Sequence, residues 1–269
     1  MSMEDIISKW QLKVKNKQAS IDMWNSRAPG FEKNKSSSLE ESSFLQLLET
    51  YKMLNPDASV LDVGCGTGSY TTAIARKCKD AIGLDFSPEM IEIAKRKAAD
   101  ERINNVEFRS ADWHEIDLSE AGLEKRFDLV IARMTPAVQS AVTFQKLSLA
   151  SKGWCVLSKA TRRVDPVSDA VKKLVGIEER RESDLDIVYA FELLWYQGLQ
   201  PRFEYEEQHW HLENTPEEAY DLYINRVKTY RDITSDEEQE IKDYLQSIKM
   251  NGLICEDIDT TITTLYWHV

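Results

Sequence analysis

From residue 60 onward, short apolar runs alternate with segments whose apolar residues recur every three to four positions. The runs at 60–63, 81–84, 106–109, 129–131 and 154–158 predict strands. The helically spaced segments at 70–78 and 88–99 predict helices between them. Short buried strands separated by amphipathic helices predict βαβ units, hence an α/β fold whose parallel sheet is covered on both faces. Right-handed crossovers then make the sheet doubly wound.

The first 50 residues predict helices with a polar break. Ile6, Trp10 and Val14, then Ile21, Trp24 and Ala28, fall at helical intervals. Pro29-Gly30 is expected to stop that pattern and 34–38 to form a polar loop. The helical pattern resumes over 39–51, with Phe44, Leu47 and Leu48 on one face, and Asn55-Pro56-Asp57 reads as a turn. Beyond Thr161 the character changes. Residues 164–177 and 185–199 predict helices, and 203–212 a strand whose alternation slips, so a bulge is expected near 206–208. Thr215-Pro216-Glu217-Glu218 and Ser235-Asp236-Glu237-Glu238 each open a helix with a hydroxyl cap and acids at its positive end. Residues 258–269 predict a last strand.

Composition adds limits. The 269 residues are 42% hydrophobic and 30% charged, a globular balance without a linker, so one domain is expected. The net charge of −12 repels phosphate backbones and anionic lipid, which argues against nucleic acid and membrane partners. Cys65, Cys78, Cys155 and Cys255 form neither a disulfide framework nor a zinc-type spacing. The start is too acidic for a signal peptide, and no apolar run approaches a membrane span. A reducing cytoplasm is the expected compartment.

The most informative segment is Val60-Leu61-Asp62-Val63-Gly64-Cys65-Gly66-Thr67-Gly68-Ser69-Tyr70. A strand runs into three glycines and then a helix, whose first N–H groups and dipole favour a polar ligand. A nicotinamide-binding loop would read G-x-G-x-x-G; here the third glycine comes one place early. Asp62 precedes the first glycine by two residues, where it suits a ligand carrying an ammonium group rather than a pyrophosphate. Asp85 ends the next strand, about 20 residues on, where an acid takes a ribose diol. Phe86 is placed to cover an adenine, and Ser110-Ala111-Asp112-Trp113 puts a carboxylate and an indole beside its amino group and ring. The expected ligand is a nucleoside carrying an amino acid.

These residues resemble class I S-adenosylmethionine-dependent methyltransferases. VLDVGCGTG, GLDFSPEMIEIAKRK, SADW and FDLVIARM match that family's successive motifs in order, over about residues 24–161. The nearest likeness is to the small-molecule branch typified by ubiquinone and menaquinone methyltransferases. The resemblance implies a Rossmann-like, mostly parallel seven-stranded sheet of order 3-2-1-4-5-7-6. It also implies S-adenosylmethionine as cofactor and methyl transfer to a small molecule. The implied cofactor site comprises Trp24, Asp62, Gly64, Cys65, Gly66, Gly68, Asp85, Phe86, Met90, Ala111, Asp112, Trp113 and Arg133. Residues 24–31 (WNSRAPGF) resemble the segment that closes over the cofactor. The chain then divides into an N-terminal helical cover (1–50), a cofactor-binding core (51–161) and a substrate side with a helical lid and the last two strands (162–269). The extra helices leave room for a homodimer.

Two other classes share parts of this pattern: a nicotinamide-dependent oxidoreductase, and a cofactor-binding protein without transferase activity. No catalytic residue is assigned. His209 and His211 share one strand face and suit a metal or a base, but no third ligand can be named and no metal is assigned. Arg133, Arg162 and Arg163 come from neighbouring strand ends and are expected to hold an anionic acceptor.

Overall fold

The computed structural model describes residues 2–12, 16–32, 42–177 and 182–269. Val14, the 34–38 loop and the start of the 39–51 segment lie outside the described residues. The expected sheet forms in full: β1 (Ser59–Val63), β2 (Asp80–Asp85), β3 (Val106–Ser110), β4 (Phe127–Arg133), β5 (Ser151–Val164), β6 (Arg202–Asn214) and β7 (Ile254–His268). Their order is β3-β2-β1-β4-β5-β7-β6. The first five strands pair in parallel, and β7 lies antiparallel between β5 and β6.

The ten helices of the described residues are α1 (Met3–Lys9), α2 (Lys17–Glu32), α3 (Ser43–Thr50), α4 (Ser69–Ala75), α5 (Pro88–Asp100), α6 (Ala141–Ala150), α7 (Pro166–Leu174), α8 (Glu182–Tyr196), α9 (Pro216–Lys228) and α10 (Ser235–Ser247). Successive strand residues face opposite ways. Leu61, Val63, Ile82 and Leu84 pack under α1, α6 and α8, while Val60, Ala81, Leu129 and Ile131 pack under α3 and α4. Trp10 closes the first layer against Phe144 at 5.3 Å, and Phe144 meets Trp267 at 5.1 Å. Burying a side chain of that size contributes about 1.5–3 kcal/mol. A buried ion pair fixes the same corner. The Lys159 Nζ lies 3.3 Å from Asp186, and Asp186 accepts the Trp10 indole N–H at 2.7 Å.

α7, α9 and α10 build a core of their own around Tyr223, Val227, Ile241 and Leu245. Glu256 of β7 is buried beneath it. Its carboxylate takes the Val167 and Ser168 N–H groups at 2.8 and 3.0 Å and the Tyr223 hydroxyl at 2.6 Å. A carboxylate on the first turn of α7 is where the helix dipole favours it.

Three expectations change. α2 runs through Pro29-Gly30 to Glu32, because a proline in the last turn forfeits one backbone hydrogen bond and leaves the preceding turns intact. β6 keeps one continuous register with β7 from Arg202↔Tyr266 to Asn214↔Ile254, without a bulge at 206–208. Its alternation slips because opposite faces are covered at its two ends: Phe203 packs on Phe191 of α8 at 5.6 Å, whereas Trp210 meets Arg163 on the other side. The irregularity lies instead in β5, between Thr161 and Val164, where Arg162 takes φ +50°.

Candidate functional site

The strand ends that face one edge of the sheet surround a cavity of about 330 Å³. Gly64 after β1, Asp85 at the end of β2 and Phe86 beyond it, Ala111, Asp112 and Trp113 after β3, and Pro136, Ala137 and Gln139 after β4 line it. Leu12, Lys17 and Ser20 of the N-terminal segment supply the facing wall.

The glycine turn explains the cavity's floor. Gly64, Gly66 and Gly68 have φ of +72°, +54° and +75°, a region where a side chain is disfavoured. A Cβ on Gly64 would stand 1.8 Å from the Thr135 hydroxyl, and one on Gly68 would strike Phe108. Gly66 faces open space. Gly68 caps α4 without a side-chain bond, so the first N–H groups of that helix point toward the turn.

Two carboxylates stand over that floor. Asp85 accepts the Gly66 N–H at 2.9 Å with one oxygen and the Ser87 N–H at 2.9 Å with the other. Burial raises its pKa above the ordinary carboxylate value, and those N–H bonds oppose the rise. Asp112 accepts the His114 N–H at 2.9 Å, and the Lys17 ammonium lies 2.7 Å from its other oxygen. Burial works upward there too, but Lys17 and the His114 N–H outweigh it and hold Asp112 below its usual value. His114 is pushed down by burial against the pull of Asp112.

The remaining expected residues, Trp113 excepted, are placed around this centre, outside the cavity lining. Asp62 is buried and accepts the Thr71 hydroxyl at 2.6 Å; burial pushes its carboxyl up to about 7. Cys65 packs on Gly83 and Phe108, and burial raises its thiol pKa. Trp24 and Met90 join Ala28, Ile93 and Phe31 in a small cluster that seats α2 on α5. The Ser87 hydroxyl, donating to Asn25 at 2.6 Å, ties the two helices beside Asp85. Trp113 edges the cavity but also belongs to the core, with its indole N–H donated to Thr143 at 2.9 Å. Arg133 is held between Phe44 and Tyr70 at 4.5 and 4.9 Å, and its Nη1 is buried without a hydrogen-bond partner among the described residues.

The trio Arg133, Arg162 and Arg163 does not assemble. Arg162 is 74% exposed and lies 3.7 Å from Asp184, because the β5 bulge turns it away from its neighbour. Arg163 is directed instead toward Asp165, at 2.7 Å, and Trp210. Sequence reasoning missed Lys17 and Ser20. They sit upstream of the WNSRAPGF motif, and no local pattern marks them. Among the described residues, the helices after Thr161 contribute nothing to the cavity lining; α9 packs along α2.

Residues 54–179 match the family described as a methyltransferase domain. The matched span holds the glycine turn, Asp85, Asp112 and Arg133. Over 83 residues the chain is 41% identical to a release factor glutamine methyltransferase from Aliivibrio fischeri, covering 29% of this chain and 28% of that protein. Over 84 residues it is 32% identical to the magnesium-protoporphyrin O-methyltransferase of Rhodobacter capsulatus, covering 31% and 38%. Other relatives carry the names of RNA methyltransferases. The chain spans less than two fifths of the length of each of these relatives. The fold is shared with the YcgJ protein from Bacillus subtilis, at a TM-score of 0.52 and 20% identity over 82% of this chain and 96% of that one. The sheet order and these neighbours define a Rossmann-like methyltransferase fold. The domain match agrees with the expected enzyme class, a methyltransferase, and with S-adenosylmethionine as its cofactor.

Proposed function

We propose that this protein transfers a methyl group from S-adenosylmethionine to a small anionic acceptor. One observation carries the reading: Gly64, at the start of the glycine turn, Asp85 and Asp112 line a single cavity at the strand ends. The residues fit that cofactor. Gly66 leaves the floor open, Asp85 is aimed by two backbone N–H groups where a diol would lie, and Asp112 accepts on the opposite wall. Bound there, the cofactor supplies an electrophilic methyl group on a sulfonium, so the chemical drive is its own. The chain's part is to orient and to exclude water. Gly64, Gly66 and Gly68 let the backbone approach, and Phe86 and Ala111 wall the ring. Asp62 stays near neutrality behind the turn, where a cation in front of it would draw out its charge.

The anionic character rests on a cluster of arginines different from the expected one. Arg163 and Arg226 share Asp165, at 2.7 and 3.4 Å. Arg27 of α2 stacks over Trp24 and Phe31, each at 5.3 Å. Burial, then the Arg226 and Arg163 charges, lower Arg27 to about 10. Two guanidinium groups on the Asp165 carboxylate and a third that feels their charge, beside α2 rather than in the cavity lining, suit a carboxylate or phosphate ligand in a protein of net charge −12. The small-molecule branch typified by ubiquinone and menaquinone methyltransferases remains part of the proposal, supported by the SADW and WNSRAPGF motifs. The acidic balance supports a small acceptor over RNA. Four free thiols support a reducing, cytoplasmic site of action. Among the described residues no helix is long and apolar enough to cross a membrane.

Calorimetry tests the cofactor reading. S-adenosylhomocysteine should bind at micromolar levels and NAD should not; the reverse result ends the proposal. Radiolabelled methyl groups supplied with a metabolite extract should appear in small molecules retained by an anion exchanger. Label confined to RNA, or to molecules that pass through, refutes the acceptor class.

A further inference from the structure

The β6–β7 ladder carries a constellation that methyl transfer does not use. Its register sets Glu213 opposite Cys255 and His211 opposite Asp257. Alternate residues of a strand share a face, so all four side chains stand on one side of the ribbon, and all are exposed. A ring nitrogen of His211, a carboxylate oxygen of Glu213 and the Cys255 sulfur lie within 4.8 Å of one another. The His211 Nε2 is 3.4 Å from Glu213, and its Nδ1 is 2.7 Å from Asp257.

From this geometry we infer that His211, Glu213 and Cys255 form a binding site for a borderline-soft divalent cation, zinc above all. The donor set argues for it. Imidazole and thiolate are ligands for zinc and its neighbours, not for magnesium or calcium, which take oxygen. Bond lengths of about 2.0–2.3 Å place tetrahedral ligands roughly 3.3–3.7 Å apart. Side-chain rotations of about 1 Å therefore close the three donors on an ion, which three exposed residues permit. The Nδ1–H of His211 donated to Asp257 leaves the Nε2 lone pair free to face the ion, the carboxylate–histidine arrangement of metal centres. The next rung repeats the pairing: the His209 Nδ1 lies 2.8 Å from Asp259 and its Nε2 3.5 Å from Asp257. Three protein ligands leave the fourth position to water. Of the two histidines on this strand only His211 enters the set, and its partners come from its own strand and from across the ladder. Glu213 lies two residues before the Thr215 cap of α9 and Cys255 is the second residue of β7, so a bound ion pins both strands where the C-terminal helices join the sheet.

Cobalt(II) titration of the full chain is the test. A thiolate-to-metal charge-transfer band in the near ultraviolet should saturate at one equivalent and disappear in Cys255→Ser. Cys78 and Cys155 are buried and Cys65 is half-buried in the glycine turn, which leaves Cys255 as the exposed thiol. His211→Ala should weaken binding at least tenfold, and Asp257→Asn, which removes the orienting carboxylate, about 10- to 100-fold. Zinc should protect Cys255 from a thiol reagent and compete with cobalt. Circular dichroism and the unfolding midpoint without metal should match the parent chain for each variant, since all the altered side chains are exposed. No thiolate band, or a band that survives in Cys255→Ser, overturns the site.

Discussion

Asp62→Asn isolates the cost of a buried charge behind the glycine turn. Asp62 is 3% exposed, and its carboxyl moves from an ordinary 3.8 to about 7. Burial is the cause, opposed by the Thr71 hydroxyl and reinforced by the Asp85 charge. Between those two values the folded state keeps a proton that the unfolded chain has released. Stability therefore falls as pH rises through that window and levels off above about 7. At about 1.4 kcal/mol for each tenfold step, ionising Asp62 at pH 8 costs the fold about 4 kcal/mol. Asparagine cannot ionise, and its carbonyl oxygen still accepts from Thr71. Its amide N–H groups enter a buried site, at about 1–3 kcal/mol. The variant should be less stable than the parent near pH 4 and more stable, by about 1–3 kcal/mol, at pH 8. Urea unfolding followed by tryptophan fluorescence at pH 4, 6 and 8 measures both. The difference between the two pH values removes the constant amide cost and should come to about 4 kcal/mol. Parallel profiles for the two proteins would refute the assignment of this pH dependence to Asp62.

Gly64→Ala should abolish S-adenosylhomocysteine binding in calorimetry or prevent folding, since the Cβ meets Thr135 at 1.8 Å from a backbone at φ +72°; normal binding would show that the turn opens freely. Asp85→Asn should weaken that ligand about 5- to 150-fold, the equivalent of roughly 1–3 kcal/mol for a hydrogen bond to a charged acceptor, and unchanged affinity would mean that another acid holds the diol. Asp186→Ala strips a carboxylate from beside the buried Lys159 ammonium and the Trp10 indole. It should cost about 3–5 kcal/mol in urea unfolding, and a loss below 1 kcal/mol would show that water reaches this corner.

The first half of the sheet is legible because β1, β2 and β4 are short apolar runs buried on both faces, the edge strand β3 keeps Val106 and Phe108 at alternate positions, and each turn carries its own glycine, proline or cap. That legibility fades with the burial. β5 continues past its expected end at Ser158 to Val164, and β7 begins at Ile254, ahead of its expected start at 258; from Ser158 onward the two strands are joined by hydroxyl pairs such as Ser158–Thr264 at 2.8 Å and Thr161–Thr263 at 2.6 Å. Threonine ladders give no apolar run to follow. α6 (AVTFQKLSLA) escapes notice for a similar reason. Val142 and Leu149 are exposed while Phe144 and Leu147 are buried, so its pattern is not that of one apolar stripe. In the site, Gly64, Asp85 and Asp112 follow from position relative to the strands. Lys17 depends on where α2 docks, a tertiary fact, and so does the grouping of Arg27 and Arg226 with Arg163.

The place of β7 between β5 and β6 has a consequence for synthesis. β6 leaves the ribosome about 40 residues ahead of β7, at roughly 5–20 residues per second, so it waits some seconds for its partner. Until then β5 offers an unpaired edge to solvent, and β6 has no ladder to join. The first five strands can settle during that interval, because their crossovers are complete. The C-terminal half cannot, since Glu256 must arrive before α7 is capped and Tyr223 is satisfied. Nascent chains stalled before residue 254 should therefore protect β1 to β4 from protease and leave everything after β5 open to cleavage.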